Sequence, residues 1–285
     1  MRSETEMIGL IVNTANKDDR VRAVYLTGSR ANPNAIKDDF QDYDVIYVVT
    51  ETKPYYGDPE WIAGFGDILY MHKPEECDKM MGVNTDFDRN YGWHVIFTDG
   101  TRLDLHVIAV SAFVRPDKVH CHILVDKDGL LKDIPEFSDE YYCVKVPAPG
   151  EYYCVCSEFW WNINNVAKGI LRYEISYAQD IMNDIVRPQL ISMLSWKIGV
   201  LTDFKVSVGK SGKYMNRWLS DDEWEQFLST YSSGFAGEMK QALKLMCDMF
   251  GSAARYVGDR LGYNYNEEYE QAALKYLSFL GFFDK

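Results

Sequence analysis

The sequence predicts an α+β fold in two parts, on three observations. Short apolar runs of strand length, broken by Gly, Pro and Asp, fill the first half of the chain. From Glu151 onward the apolar spacing lengthens to the helical period and stays there. Between the two, Pro135, Pro147, Pro149 and Gly150 punctuate a linker-like stretch. The expected division is residues 1–148, a sheet with flanking helices, and 149–285, a bundle of helices. Hydrophobic residues make up 47% of the 285, enough to fill real cores.

The first element is a helix. Ser3 and Glu6 have capping-box spacing, and Met7, Leu10, Ile11 and Thr14 follow on one face. Val21 to Thr27 reads as a buried strand that runs into Gly28-Ser29 and a polar loop. A second strand follows to Val49, opened by Asp42-Tyr43-Asp44. Pro54, Gly57 and Pro59 mark a break, followed by a short helix near 59–64 and a strand near 67–72. The polar stretch 73–89 has weak periodicity and reads as loop or short helix. Asp99-Gly100 is a hairpin turn between strands at 91–98 and 101–110.

Chemistry concentrates between Gly28 and Asp104. Side chains alternate along a strand, so Asp42 and Asp44 point to one face with Cα atoms ~6–7 Å apart. Two carboxylates aimed at one spot repel unless a cation lies between them, and oxygen ligands at this spacing suit Mg²⁺ held against phosphates. Gly28 lets backbone approach a ligand closely, and successive loop N–H groups can cradle an anion. A phosphate grip followed by a metal grip is the layout of a nucleotidyl-transfer site. In the strand after Asp99-Gly100, Arg102, Asp104, His106 and Ile108 share one face. Asp104 is then either a third carboxylate of the metal cluster or the partner of Arg102 or Lys53 on the sheet surface.

Other sequence features exclude more than they propose. The formal charge of −13 opposes binding to a nucleic-acid backbone and favours a small cationic partner. The six cysteines have neither zinc-knuckle nor redox spacing and fit reduced thiols in a cytoplasm. Neighbours in a strand face opposite ways, so His120-Cys121-His122 does not converge on one ion. Asp126-Lys127-Asp128-Gly129 begins like a calcium loop, but Glu136 falls at the wrong offset, leaving a turn that closes the sheet. Gly209-Lys210-Ser211 lacks the earlier glycine of a P-loop, since Phe204 stands there. Lys210 and Lys213 could still reach a triphosphate from their Gly-rich turn. There is no apolar signal core at the start and no run of membrane-spanning length.

In the helical half, Ile175, Ala178, Met182 and Ile185 form an apolar stripe. Tyr173, Tyr177, Asp180, Asp184 and Arg187 lie roughly opposite at i, i+4, i+7 spacing. That face is either the wall of a cleft for a hydroxylated cation or a solvated surface with Asp184 paired to Arg187. Trp160, Trp161, Asn164 and Lys168 lie on neighbouring rows of the preceding helix.

Gly28-Ser29, the Asp-x-Asp at Asp42 and Asp44, and a lone strand Asp104 together resemble the DNA polymerase beta-like nucleotidyltransferase superfamily. More closely, the stretches at 28–34, 40–44, 124–129, 158–161 and 185–190 resemble the aminoglycoside 6-adenylyltransferases, which act on streptomycin and confer antibiotic resistance. The resemblance implies a nucleotidyltransferase domain built on a mixed sheet, a helical substrate-binding domain, and an active site between them. It also implies ATP as co-substrate, Mg²⁺ and a cationic aminoglycoside. On that reading Asp42, Asp44 and Asp104 hold two Mg²⁺ ions, while Gly28, Ser29, Arg30 and Lys213 contact the nucleotide. Asp180 is implied as the acceptor-side base, and Trp161, Tyr177 and Asp184 as substrate contacts. The expected protein is a cytoplasmic monomer that binds neither nucleic acid nor membrane. The alternatives are a lincosamide- or protein-modifying enzyme of the same superfamily, or a non-catalytic nucleotide-binding module.

Overall fold

A computed structural model describes residues 1–32, 34–116, 121–134 and 141–282. His120, Pro135 and Glu136, and Pro33 of the Gly28–Asn34 stretch, lie outside the described residues. The chain forms two compact units, Met1–Tyr141 and Tyr142–Lys285.

The first unit carries, in order, α1 (Glu4–Asn16), β1 (Val21–Thr27), α2 (Gly28–Ala31), β2 (Tyr43–Val49), α3 (Lys53–Tyr56), a 3₁₀ turn (Ile62–Phe65), β3 (Ile68–His72), α4 (Pro74–Met80), β4 (Asn90–Phe97), β5 (Arg102–Ala109), a second 3₁₀ turn (Val110–Ala112) and β6 (His122–Asp126). The strands form one mixed sheet in the order β3-β4-β5-β2-β1-β6. Among the described residues only β2 and β5 run parallel; the other four pairings are antiparallel.

Local chemistry sets these elements. Ser3 caps α1 with the expected reciprocal bonds, Glu6 N–H to Ser3 Oγ at 3.3 Å and Ser3 N–H to Glu6 Oε2 at 2.8 Å. The buried side of α1, Met7, Ile11 and Ala15, packs on one face of the sheet. There Tyr43, Val45, Tyr47 and Val49 of β2 meet Leu103, Leu105 and Val107 of β5 in the unit's main core. Tyr47 spans it and donates its hydroxyl to the Ile11 carbonyl at 2.7 Å. The opposite face is covered more thinly, by a small cluster of Ala23, Tyr25, Val48 and Leu131. That thinner cover leaves one end of the second face open to polar side chains.

The second unit is helical among its described residues: α5 (Pro149–Leu171), α6 (Ile175–Asp180), a π-helical turn (Ile181–Val186), α7 (Arg187–Leu201), two 3₁₀ turns (Lys210–Gly212 and Met215–Arg217), α8 (Asp221–Ser229), α9 (Ala236–Leu261) and α10 (Glu267–Phe279). Phe159 of α5 stacks on Phe250 of α9 with ring centroids 3.8 Å apart, at the centre of this unit's own core. Among the described residues, no helix is long and apolar enough to cross a membrane.

Two local expectations change. The chain leaving β1 enters a short helical turn, α2, instead of going directly into loop. The π-helical turn also takes Arg187 out of the face expected from Tyr173 to Arg187, while Tyr177, Asp180 and Asp184 stay exposed. Pro188, the second residue of α7, supplies no N–H and would crowd the carbonyl a turn earlier. A wider turn ahead of it absorbs that conflict and rotates the residues beyond. Arg187 thus turns inward and is only 4% exposed, while Tyr173 sits before α6 with φ at 61°.

Candidate active site

The site begins where β1 ends. Gly28 adopts φ +67°, and a β-carbon there would lie 2.0 Å from Oδ2 of Asp44. Only a residue without a side chain lets the β1–α2 turn pass this close to the carboxylate. Ser29 and Arg30 follow within α2.

Asp44 and Asp104 are direct partners in the parallel β2–β5 register. Both therefore face the same side of the sheet, away from the main core. The same cross-strand row continues through His94 on β4 and His72 on β3, and in the other direction to Thr27 on β1. Asp42 lies just before β2, and its carboxylate joins the pair through Arg102. The Arg102 guanidinium grips Asp104 with two prongs, Nε to Oδ1 at 3.0 Å and Nη2 to Oδ2 at 2.6 Å. It also stands 3.1 Å from Oδ2 of Asp42. Burial, and then the neighbouring Asp42 and Asp104 charges, push the Asp44 carboxyl up to about 6. Asp104 thus faces Asp44 across the register and is paired with Arg102, as the second of its two readings had it.

As the side chains lie, no group of three His, Cys, Asp or Glu among the described residues is set to hold a metal ion. The donor chemistry nonetheless suits a hard divalent cation. Asp42 and Asp104 both disfavour the charge on Asp44, and a cationic group already stands against those two.

Arg30 stacks on Tyr43, 3.9 Å from its ring centroid. It donates to the carbonyls of Gln41 at 2.7 Å and Asp42 at 3.0 Å, and lies 3.6 Å from Glu4. Its visible work is to hold the loop that delivers Asp42. A cavity of about 540 Å³ opens beside this loop, lined in part by Lys37, Phe40, Tyr43, Thr101 and Arg102.

Sequence reasoning missed part of the surroundings. Glu75 is buried and accepts from the Gly92 N–H at 2.9 Å and Asn90 Nδ2 at 2.7 Å. It also stands 3.5 Å from Nδ1 of His106, which is on the strand face of Asp104. His94 and His106 have ring centroids 5.8 Å apart. The alternation of β5 signalled His106. Nothing local to α4 signalled that Glu75 would turn inward.

The remaining candidates belong to the second unit. Asp180 ends α6, Asp184 lies in the π-helical turn, and both are exposed, as is Tyr177. The Asp184–Arg187 pair that one of the two readings of this face required is not formed. Arg187 instead bonds Asn183 Oδ1 at 3.0 Å and the Thr230 carbonyl at 2.8 Å, and stacks on Tyr231. The wider turn carries the arginine into the core side, where Thr230 meets it. Trp161 is exposed on α5 and lines a groove of about 420 Å³ with Asn164, Lys168, Tyr269 and Tyr276. Lys213 is exposed in the turn after Gly209, 4.9 Å from the centroid of Tyr214.

Comparison with known proteins gives this geometry a family. A family model described as streptomycin adenylyltransferase matches residues 1–280. An aminoglycoside 6-adenylyltransferase of Bacillus subtilis is 35% identical over 280 residues, covering 97% of each chain. One from Staphylococcus aureus is 34% identical over 268 residues, 93% of this chain and 94% of its own. The crystal structure of an aminoglycoside 6-adenyltransferase from Bacillus subtilis covers the whole of both chains at 31% identity, with a TM-score of 0.49. The chain belongs to the streptomycin adenylyltransferase family, and it is a nucleotidyltransferase.

Proposed function

We propose that the protein transfers AMP from ATP to a hydroxyl of a streptomycin-like aminoglycoside, the 6-hydroxyl by analogy with its relatives. The observation that carries this reading is the Asp44–Asp104 register pair, with Asp42 brought alongside by Arg102. Burying a carboxylate is costly unless it is paired, and a divalent cation would supply the pairing that burial demands of Asp44.

In this reaction the acceptor hydroxyl oxygen bonds to the α-phosphorus as the bond to pyrophosphate breaks. Asp42, Asp44 and Asp104 would hold divalent magnesium, which supplies charge neutralisation at the phosphoryl oxygens. The Gly28 backbone and the Ser29 hydroxyl are the proposed contacts to the outer phosphates, where a close backbone approach is needed. Lys213 is assigned to the same phosphates, and Arg30 acts by shaping the loop that carries Asp42. Asp180 is assigned the hydroxyl proton, a role typically worth ~10²–10⁴-fold in rate. Trp161, Tyr177 and Asp184 are assigned to the acceptor, offering aromatic faces and negative charge to a cation. The formal charge of −13 favours encounter with such a polycation.

A pyrophosphate-release assay with ATP, Mg²⁺ and a panel of aminoglycosides tests the reading. Release is expected only when ATP, a divalent cation and a streptomycin-like acceptor are all present. Asp42→Asn is expected to lose it; full turnover by that variant would overturn the metal assignment. Asp180→Asn with unaltered turnover would remove the base alone.

A further inference from the structure

Arg102 stands where the acidic cluster needs its counter-charge. Its guanidinium occupies both oxygens of Asp104 in a two-pronged grip and touches Asp42 with another nitrogen. Arginine keeps its charge at every accessible pH, so the grip cannot be released by deprotonation. A divalent cation taking the same oxygens would meet both steric competition and like-charge repulsion. Arg102 can yield, because it opens β5, its side chain is 48% exposed and it lines the cavity of about 540 Å³. Phosphate oxygens entering on that side would offer it an equally good two-pronged partner.

We infer that Arg102 is a resident counter-ion that must leave Asp104 and Asp42 before a divalent cation can take them, which couples cation loading to nucleotide loading. This rests on the proposed function. The cation frees the guanidinium and the triphosphate gives it a new partner, so each ligand strengthens the binding of the other by the same factor. Arg102 is on this account a positioning residue. It offsets part of the cluster's charge and holds Asp42 and Asp104 together while empty, and suppresses metal capture in the absence of ATP.

The test is Mn²⁺ binding by the full chain, followed by titration calorimetry or electron paramagnetic resonance, with and without a non-hydrolysable ATP analogue. Wild type is expected to bind Mn²⁺ weakly alone and at least about tenfold more tightly with the analogue, within the usual range of coupling. Arg102→Gln is expected to bind Mn²⁺ alone about tenfold more tightly than wild type and to lose most of the gain from the analogue. Arg102→Lys keeps the charge without the fork and should fall between them; it carries the same test if the glutamine variant does not fold. Binding of Mn²⁺ alone by these variants that equals or is weaker than that of wild type overturns the inference and leaves the proposed function standing. Asp44→Asn that binds Mn²⁺ as tightly as wild type does would overturn both.

Discussion

Gly28 and Asp44 are packed so closely that the glycine has no room for a single added carbon: a β-carbon would sit 2.0 Å from Oδ2 and 3.0 Å from Cγ of the aspartate. Gly28→Ala must therefore displace the carboxylate or the turn. It also places an L-residue at φ +67°, which costs roughly 1–2 kcal/mol by itself. A displacement on the order of 1 Å in a reacting constellation can cost ~100-fold. Gly28→Ala is expected to reduce pyrophosphate release by about that factor, with a lower melting temperature; steady-state kinetics and a thermal melt check it.

Glu75 is a stability determinant hidden behind the site. Removing its carboxylate in Glu75→Ala leaves the buried Gly92 N–H and the Asn90 amide without this acceptor. A buried donor left unsatisfied costs about 1–3 kcal/mol. The urea midpoint should fall accordingly, and Glu75→Gln, which keeps one acceptor oxygen, should lose less.

Arg187 ties the π-helical turn to the end of α8 through Asn183 and Thr230, and stacks 3.7 Å from the Tyr231 ring centroid. Hydrogen bonds to a charged group contribute about 1.5–3 kcal/mol, so Arg187→Ala should destabilise by at least that. Arg187→Lys should rescue little, because one ammonium cannot reach two partners in a fork while stacking on a ring. Denaturant unfolding of the three proteins decides this.

Acid sensitivity should come partly from Asp99. Partial burial works against its charge, but the Thr101 backbone and hydroxyl and the Arg2 guanidinium prevail and hold the carboxyl down at about 2. Its folded-state value is below the unfolded one of ~3.9, so its contribution is complete above that pH and is lost as pH falls toward 2. Asp99→Asn should be less stable than wild type at neutral pH and converge with it near pH 2. Chemical denaturation at a series of pH values reads the difference directly.

The parts of the site that sequence reasoning reached are those governed by strand alternation. Asp44 opens an apolar run and Asp104 interrupts one, and the two-residue period alone says which face each takes. The capping box at Ser3 is equally local, and it forms as read. What escaped is set by long-range packing. Arg102 was visible only as one possible partner of Asp104, and nothing in its strand revealed that it would also reach Asp42. Glu75 turns inward because Gly92, whose missing side chain makes room for the His106 ring, presents an N–H there. Arg187 left the face expected from Tyr173 onward for a reason that lies in the sequence itself, since Pro188 cannot continue an ordinary helix unaided.

The β2–β5 pairing has a consequence for biosynthesis. Asp42 and Asp44 leave the ribosome well before Asp104, and β5 can lie parallel to β2 only after the intervening β3, α4 and β4 have emerged. A nascent chain that stops short of β5 would display two of the acids, and the turn that abuts Asp44, without a cluster. Such non-local pairings also form late because the loop between them must first be closed. The acidic cluster should then appear abruptly with closure of the sheet, ahead of an enzymatic competence that also waits on the proposed residues Asp180 and Lys213 of the second unit. Divalent-cation binding by arrested chains can therefore time how fast newly made sheets close.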